Sequence, residues 1–315
     1  MSRLRLVFCG TPAFAVPPLQ KLLAAPELEI LAVYTQPDRP RGRGRQVGFS
    51  AIKEAALAAH IPIHQPAKIR LPEVHEELRG LSPDAIVIIA YGQIVPATLL
   101  DIPRLGWINL HASLLPKYRG AAPINWAIAN GETVTGNTTM RIDAGMDTGE
   151  MLLQQELQVG PDESAPQLAE RLSLSGATLM VETLLALAAG RVVPRVQDHA
   201  AATLAPVLKR EDGRIDWERP AQEIYNRMRG FAPWPGAFSD FRGQLCHISG
   251  RPALKILSSA TPGDIFVEAG EVYVVCGGAS ALHVSDVKLE GRKQISAREF
   301  ANGVRLQPRE RFGKA

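Results

Sequence analysis

Residues 84–90, Asp-Ala-Ile-Val-Ile-Ile-Ala, place six apolar side chains in succession with no polar position between them. A strand with one wet face alternates apolar and polar residues. A strand that does not alternate is covered on both faces, as in a parallel sheet sandwiched by helices. The flanking pattern agrees. Residues 3–9 read as a strand ending at Gly10, and residues 15–25 as a helix whose prolines suit a first turn. Residues 28–35 read as a second strand, and 50–60 as a helix with Ser50 in the N-cap position. Residues 106–111 form another strand, 122–130 a helix, and 164–189 a long amphipathic helix. Strands alternating with helices predict an α/β domain over residues 1–189, a Rossmann-like, doubly wound, mostly parallel sheet with its site outside the carboxyl ends of the strands. Residues 190–206 carry Pro194 and Pro206 and no steady period, and read as a linker. Beyond a short helix at 220–230, six short strands (237–241, 244–248, 253–258, 264–268, 271–276 and 282–289) predict a small open β-barrel of OB-like type within residues 207–315.

Composition bounds the class. A chain of 315 residues has length for two domains. Its 46% hydrophobic and 21% charged content is that of a folded globular protein. No unbroken apolar run approaches the roughly 18 residues of a membrane span, and the apolar stretch from Leu4 to Cys9 is short for a secretory signal. Three widely spaced cysteines (Cys9, Cys246, Cys276), with no CxxC, fit a reducing cytoplasm and give neither a disulfide framework nor a cysteine zinc site.

The net charge of +3 divides unevenly. Residues 1–206 hold 18 Lys+Arg against 19 Asp+Glu, net −1, and residues 207–315 hold 17 against 13, net +4. Within the first part, Arg39, Arg41, Arg43 and Arg45 occupy alternate positions. Pro37, Pro40, Gly42 and Gly44 around them exclude helix and central strand, so 36–48 reads as a mobile loop. It is either a solvated surface loop or a phosphate contact, since guanidinium groups present a planar fork of donors.

Several chemistries lack their residues. Gly10-Thr-Pro-Ala-Phe-Ala15 lies at a strand-to-helix turn but has one glycine where a dinucleotide loop needs three, and Pro12 removes an N–H. There is no GxxxxGK[ST] loop for ATP, and the seven histidines include no HExxH pair, so no metal is expected. Asn109 and His111 are different. Two apart at the end of a strand, they leave one face together, and an amide with an imidazole can donate two hydrogen bonds to one developing oxyanion. Farther on, Asp143-Ala-Gly-Met-Asp-Thr-Gly149 offers two carboxylates. Either could orient His111, and spacing does not choose.

Asn109-Leu-His-Ala-Ser-Leu-Leu-Pro-Lys-Tyr-Arg-Gly-Ala-Ala-Pro123, followed by Asp143–Gly149, resembles the folate-dependent formyltransferases. Phe8-Cys-Gly-Thr-Pro12, Gln36-Pro-Asp-Arg-Pro40 with the arginine loop, Ala90-Tyr-Gly92, Leu208–Trp217 and Pro233–Ala237 extend the likeness almost end to end. The arginine loop and the Ile-Asp-Trp and Trp-Pro segments are similar to the members that act on initiator tRNA. The resemblance implies catalytic roles for Asn109, His111 and Asp147, with Asp143 structural, and folate contact at Ser113, Leu114, Leu115 and Pro116. It also implies tRNA contact by the loop bearing Arg39, Arg41, Arg43 and Arg45, with Arg43 its functional arginine, and by the C-terminal barrel. Ala112 departs from the glycine that many members carry there. The implied reaction moves the formyl group of 10-formyltetrahydrofolate to the α-amino group of methionyl initiator tRNA, with no metal. A folate-dependent transferase formylating a nucleotide-sugar amine is the alternative, and an RNA-binding module on a retired enzyme scaffold is a third reading.

Overall fold

The computed structural model describes residues 3–41, 46–254 and 261–313. The chain gathers into two compact units. The first comprises residues 1–123, 134–158 and 167–206, and the second 124–133, 159–166 and 207–315.

In the first unit β1 (Leu4–Gly10), α1 (Val16–Leu23) and β2 (Leu28–Tyr34) lead into two short strands, β3 (Arg39–Arg41) and β4 (Gln46–Gly48). Then come α2 (Ala51–Ala58), β5 (Ile63–His64), α3 (Pro72–Leu81), β6 (Ala85–Ile89), α4 (Ala97–Leu100) and β7 (Trp107–His111). After α5 (Pro123–Ala129), which from Ile124 on groups with the second unit, the sheet is completed by β8 (Val134–Arg141) and β9 (Met151–Gln158), and α6 (Ala165–Ala188) follows. The sheet order is β5-β2-β1-β6-β7-β8-β9. Pairings are parallel from β5 to β7 and antiparallel from β7 to β9.

The apolar run does what its pattern requires. All five residues of β6 are buried, with Ala85, Val87 and Ile89 in one core and Ile86 and Ile88 in the core on the opposite face. Each buried isoleucine or valine contributes about 1.5–3 kcal/mol, so this strand anchors both layers. Ser50 caps α2, its hydroxyl accepting from Lys53 N at 3.0 Å. From β1 the chain winds to β2 and β5 on one side and then returns to β6 on the other, which puts the topological switch point between β1 and β6.

β8 and β9 escape a reading by apolar pattern because β8 buries Thr135, Asn137, Thr138 and Thr139. Much of this polarity is paired: Asn137 Nδ2 donates to Leu172 O at 2.8 Å, and the Thr139 and Thr183 hydroxyls meet at 2.8 Å, whereas Asn137 Oδ1 is buried without a partner among the described residues. Helix α6 is long and apolar enough to cross a membrane by length and composition, although no unbroken apolar run marks it in the sequence. Half of its most apolar stretch is buried, and Leu179, Met180, Leu184 and Leu187 join the core with Leu6, Phe8 and Leu110.

Residues 190–206, read from sequence as a linker, pack with the first unit. Arg195 and Met151 exchange two backbone hydrogen bonds of 2.8 Å, Arg119 N donates to Thr203 O at 2.9 Å, and Ala205 N donates to Arg119 O at 2.7 Å. The segment has no period because it is held by its backbone and by isolated polar side chains. The arginine stretch also has paired stems: β3 and β4 are antiparallel, with Arg39 opposite Gly48 and Arg41 opposite Gln46. Arg43 and Arg45 lie outside the described residues.

The second unit takes in 124–133 and 159–166 where a sequence division at 189 and 206 leaves them in the first domain. Polar contacts account for this. Asn125 Nδ2 donates to Gly230 O at 2.8 Å, Arg229 Nη1 donates to Gly160 O and Glu163 O at 3.0 Å each, and Tyr225 Oη donates to Asp162 Oδ1 at 2.7 Å. After α7 (Ala221–Gly230) come β10 (Phe238–Phe241), β11 (Gln244–Ala253), β12 (Ile265–Glu268), β13 (Glu271–Cys276), β14 (Ser280–Leu289), β15 (Ile295–Ser296) and α8 (Ala297–Val304). The sheet is antiparallel in the order β10-β11-β14-β13-β12, with β15 on β14. β11 runs on to Ala253 through an irregularity at Ser249/Gly250, where the sequence suggests two strands, 244–248 and 253–258. Most of the latter lies outside the described residues. Trp217, Phe241, Phe300 and Phe312 fill the core, and α8 enters through a capping box between Ser296 and Glu299.

Candidate active site

β7 is an inner strand between β6 and β8, with Ile88 opposite Asn109 and Thr138 opposite His111. Its carboxyl end therefore lies beside the switch point. There the ends of β1, β2 and β6 are tied at one atom: Tyr91 O accepts from Thr11 Oγ1 at 3.0 Å and from Gln36 Nε2 at 3.1 Å. Thr11, Gln36, Arg39, Ser50, Tyr91 and Gly92 are among the residues lining a cavity of about 370 Å³ at this point.

Asn109 is half-buried, and its amide has no hydrogen-bond partner among the described residues. His111 is buried, with Nε2 2.8 Å from Tyr118 O. A carbonyl only accepts, so Nε2 carries a proton and the ring's other nitrogen is left for chemistry. That nitrogen, Nδ1, stands 3.7 Å from Asp147 Oδ2. The distance suits charge interaction and is too long for a hydrogen bond.

The structure thus chooses between the two carboxylates. Asp147 faces His111, and its Oδ2 accepts from Gly120 N at 2.9 Å. Asp143 turns onto its own loop, accepting from Gly145 N at 3.0 Å and from Thr148 Oγ1 at 2.7 Å. Asp147 has φ +53°, a left-handed conformation unusual outside glycine. Its loop is held from outside, because Gln197 Nε2 donates to Asp147 O at 2.9 Å and to Gly149 O at 2.8 Å. Gln197 Oε1 accepts from Arg119 Nε at 3.0 Å and Nη2 at 2.7 Å, and Arg119 Nη1 lies 3.2 Å from His199 Nδ1. Gly120 takes φ +119°, and a Cβ there would lie 2.7 Å from Ala205 O, so only glycine presents its N–H to Asp147 in this turn.

Of the segment 113–116, Ser113 and Leu115 are enclosed, while Leu114 and Pro116 are half-buried. The Ser113 hydroxyl donates to Lys117 O at 2.6 Å, and Leu115 packs on Met140 and Met151. Thr138 Oγ1 accepts from Leu115 N at 3.1 Å and donates to Ser113 O at 2.7 Å, and Gln154 Nε2 donates to Leu115 O at 2.9 Å. The three cysteines are free and buried, and burial pushes their thiols up, to about 12 for Cys246 and Cys276. Arg39 is exposed at the arm's root, and the side chain of Arg41, like Arg43 and Arg45, lies outside the described residues. Among the described residues no three His, Cys, Asp or Glu gather to hold a metal ion.

An amide, an imidazole and a carboxylate around one strand end form a constellation that can carry acyl transfer through fixed donors. Comparison with known proteins decides the family. A model described as formyl transferase matches residues 4–184, and one described as formyl transferase, C-terminal domain, matches residues 207–305. The chain belongs to the formyl transferase family. The methionyl-tRNA formyltransferase of Solibacter usitatus is 53% identical to it over 311 residues, 99% of each chain. That of Geobacter sulfurreducens is 47% identical over 315 residues, covering 100% of this chain and 98% of the relative. A sugar 3N-formyl transferase solved with dTDP and 5-N-formyl-THF shares the fold, with TM-score 0.66 at 16% identity over 93% of this chain and 100% of that one.

In this formyl transferase, the residues single out Asn109 and His111, the resemblance adds Asp147, and neither points to what fastens the three in place. Thr138, Gln154 and Gln197 carry no pattern of their own, and Arg119 lies within the resembling stretch Asn109–Pro123 without being singled out there. The one available signal was negative: the stretch around Gln197 lacks both the period of an element and the glycine-serine richness of a flexible linker.

Proposed function

We propose that the chain transfers the formyl group of 10-formyltetrahydrofolate to the α-amino group of methionyl initiator tRNA. The observation that carries the chemistry is the Asn109 amide, without a partner among the described residues, beside a histidine whose Nδ1 faces Asp147. The Ser113 hydroxyl donates to Lys117 O and the three thiols are buried, so neither that serine nor a cysteine is placed to take the formyl in transit. The amine nitrogen attacks the formyl carbon directly, the bond from that carbon to N10 breaks, and the proton lost by the amine returns to N10. An α-amino group with an ordinary pKa of about 7.7–8.0 supplies enough free base near neutrality. Attack gathers negative charge on the formyl oxygen. Asn109 Nδ2–H and a proton on His111 Nδ1 are its donors, and the Asp147 carboxylate stabilises the imidazolium while that proton is in place.

Full-length relatives at 53% and 47% identity support methionyl-tRNA as the acceptor, whereas the sugar transferase shares the fold at 16%. The folate is assigned to the 113–116 segment, with Leu114 and Pro116 its half-buried members. The tRNA is assigned to the Arg39–Arg45 arm and to residues 207–315, whose net +4 suits a polyanion. Division of labour follows: folate chemistry over 1–189 and RNA grip shared with 207–315, in the cytoplasm where the three thiols stay reduced. The test offers 10-formyltetrahydrofolate with methionyl initiator tRNA or with a UDP-amino-sugar. Formylmethionyl-tRNA is the expected product. A formylated sugar would replace the reading with its alternative, and no product from either would favour the binding module.

A further inference from the structure

We propose that Gln197 is a positioning residue for formyl transfer, acting on the reaction through the backbone of Asp147. Its side chain is 2% exposed, so it does not reach a substrate. Every hydrogen-bonding position of its amide is nevertheless occupied by active-site scaffold. Oε1 accepts two bonds from Arg119, at 3.0 and 2.7 Å, and Nε2 gives both protons to carbonyls, Asp147 O at 2.9 Å and Gly149 O at 2.8 Å.

Both partners lead to the reacting groups. Arg119 belongs to the turn whose neighbouring residues hold His111 through Tyr118 O and Asp147 through Gly120 N. The two carbonyls belong to the 147–148 and 149–150 peptides, so Gln197 fixes the loop backbone at two points, one of them the peptide of the left-handed Asp147. The Asp147 carboxylate stands 3.7 Å from His111 Nδ1, a separation with no hydrogen bond to hold it. Its position is set by the backbone of its own loop together with the hydrogen bond from Gly120 N at 2.9 Å. A carboxamide is the group that meets both demands: an acceptor toward Arg119 and two donors toward the loop. A carboxylate of the same size keeps the first and loses the second.

This inference rests on Asp147 acting through His111 in the transfer, and the test separates the two. Turnover and KM for each substrate are measured for Q197A, Q197E and D147N, and for both Gln197 changes in the D147N background, with thermal midpoints alongside. Q197E is isosteric and keeps an acceptor for Arg119, so it carries the test if Q197A does not fold. A misplacement on the order of 1 Å commonly costs about 10²-fold, so kcat is expected to fall about 10- to 100-fold in Q197E and Q197A. KM for either substrate is expected to stay within about threefold. In the D147N background the same changes are expected to lower kcat by less than about twofold, because residues that act as one unit are not additive. If the full Gln197 factor reappears in that background, or falls on KM, or if Q197E turns over like the parent, the positioning role is overturned. Parental turnover in D147N would instead strike out Asp147 itself, and this inference with it.

Discussion

Two segments of the first unit look alike in sequence and differ in structure. Residues 36–48 and 190–206 both carry prolines, lack a hydrophobic period and read as irregular chain. In the first, β3 and β4 pair with each other, and the root is fastened through Gln36, which donates to Tyr91 O at 3.1 Å, and through Asp38, which meets Lys53 Nζ and accepts from Gln65 Nε2 at 2.9 Å. In the second, backbone and side chains are tied to β9 and the 116–120 turn, with Gln197 and Ala205 buried. Period measures how a segment shares an apolar face and is silent on where its polar backbone groups go. The first segment, an arm, is built as a tethered surface element, and the second, a strap, as part of the frame around Asp147. Changes around the strap are therefore expected to lower turnover, and changes on the arm to weaken acceptor binding.

The largest effect is expected at the group the frame presents. Asn109→Ala removes one oxyanion donor and should lower kcat about 10²–10³-fold, with KM for methionyl-tRNA and for the folate little changed. Steady-state kinetics with each substrate varied decides it, and parental turnover would remove Asn109 from the chemistry. Next comes Gly120→Ala. A side chain at φ +119° with its Cβ 2.7 Å from Ala205 O must displace either the strap or the turn. Such strain costs of order 1–3 kcal/mol, and it withdraws the N–H that Asp147 accepts. A lower melting temperature together with a roughly 10- to 100-fold fall in kcat is expected. A variant that melts lower but turns over normally would show that the strap frames the fold without framing the site.

How far the sequence reaches follows from the same contrast. β6 is legible because its side chains enter two apolar cores, and the Asn109/His111 pair because residues two apart on a strand share a face. The choice of Asp147 over Asp143 is illegible from spacing. It depends on Gly120 and Gln197, which the fold brings 27 and 50 residues along the chain to that loop. β8 is hidden for a related reason. Its Thr139 hydroxyl and Asn137 Nδ2 find partners in Thr183 and Leu172, which no local window contains. The second unit's inclusion of 159–166 likewise depends on Arg229, whose distant carbonyl partners leave no trace near residue 229.

On the arm, effects should be smaller and fall on binding. Arg39→Ala removes an exposed guanidinium at the arm's root. If Arg39 meets a phosphate, KM for methionyl-tRNA rises, and the slope of log affinity against log salt falls by about 1, with kcat and the folate KM unchanged. A rise in KM at unchanged salt slope would mean that the residue shapes the arm without touching RNA.

The smallest effect, and the one that tests the tether itself, belongs to Asp38. The hydrogen bond from Lys53, then that from Gln65, holds its carboxyl below the usual carboxylate range. A carboxyl lowered on folding contributes stability above its unfolded value, and that contribution is lost as pH falls through the folded one. At neutral pH, Asp38→Asn should therefore lower the melting temperature slightly and raise KM for methionyl-tRNA, because Lys53 loses its charged partner. Both differences should shrink as pH is taken down through the carboxylate range, where the parent protonates Asp38 and loses the same ion pair. Melting curves of parent and variant at a series of pH values decide it. A difference that stays constant into acid would mean that Asp38 holds the arm by shape and hydrogen bonding to Gln65, with its charge idle. The arm would then resemble the strap more closely than its exposed position suggests.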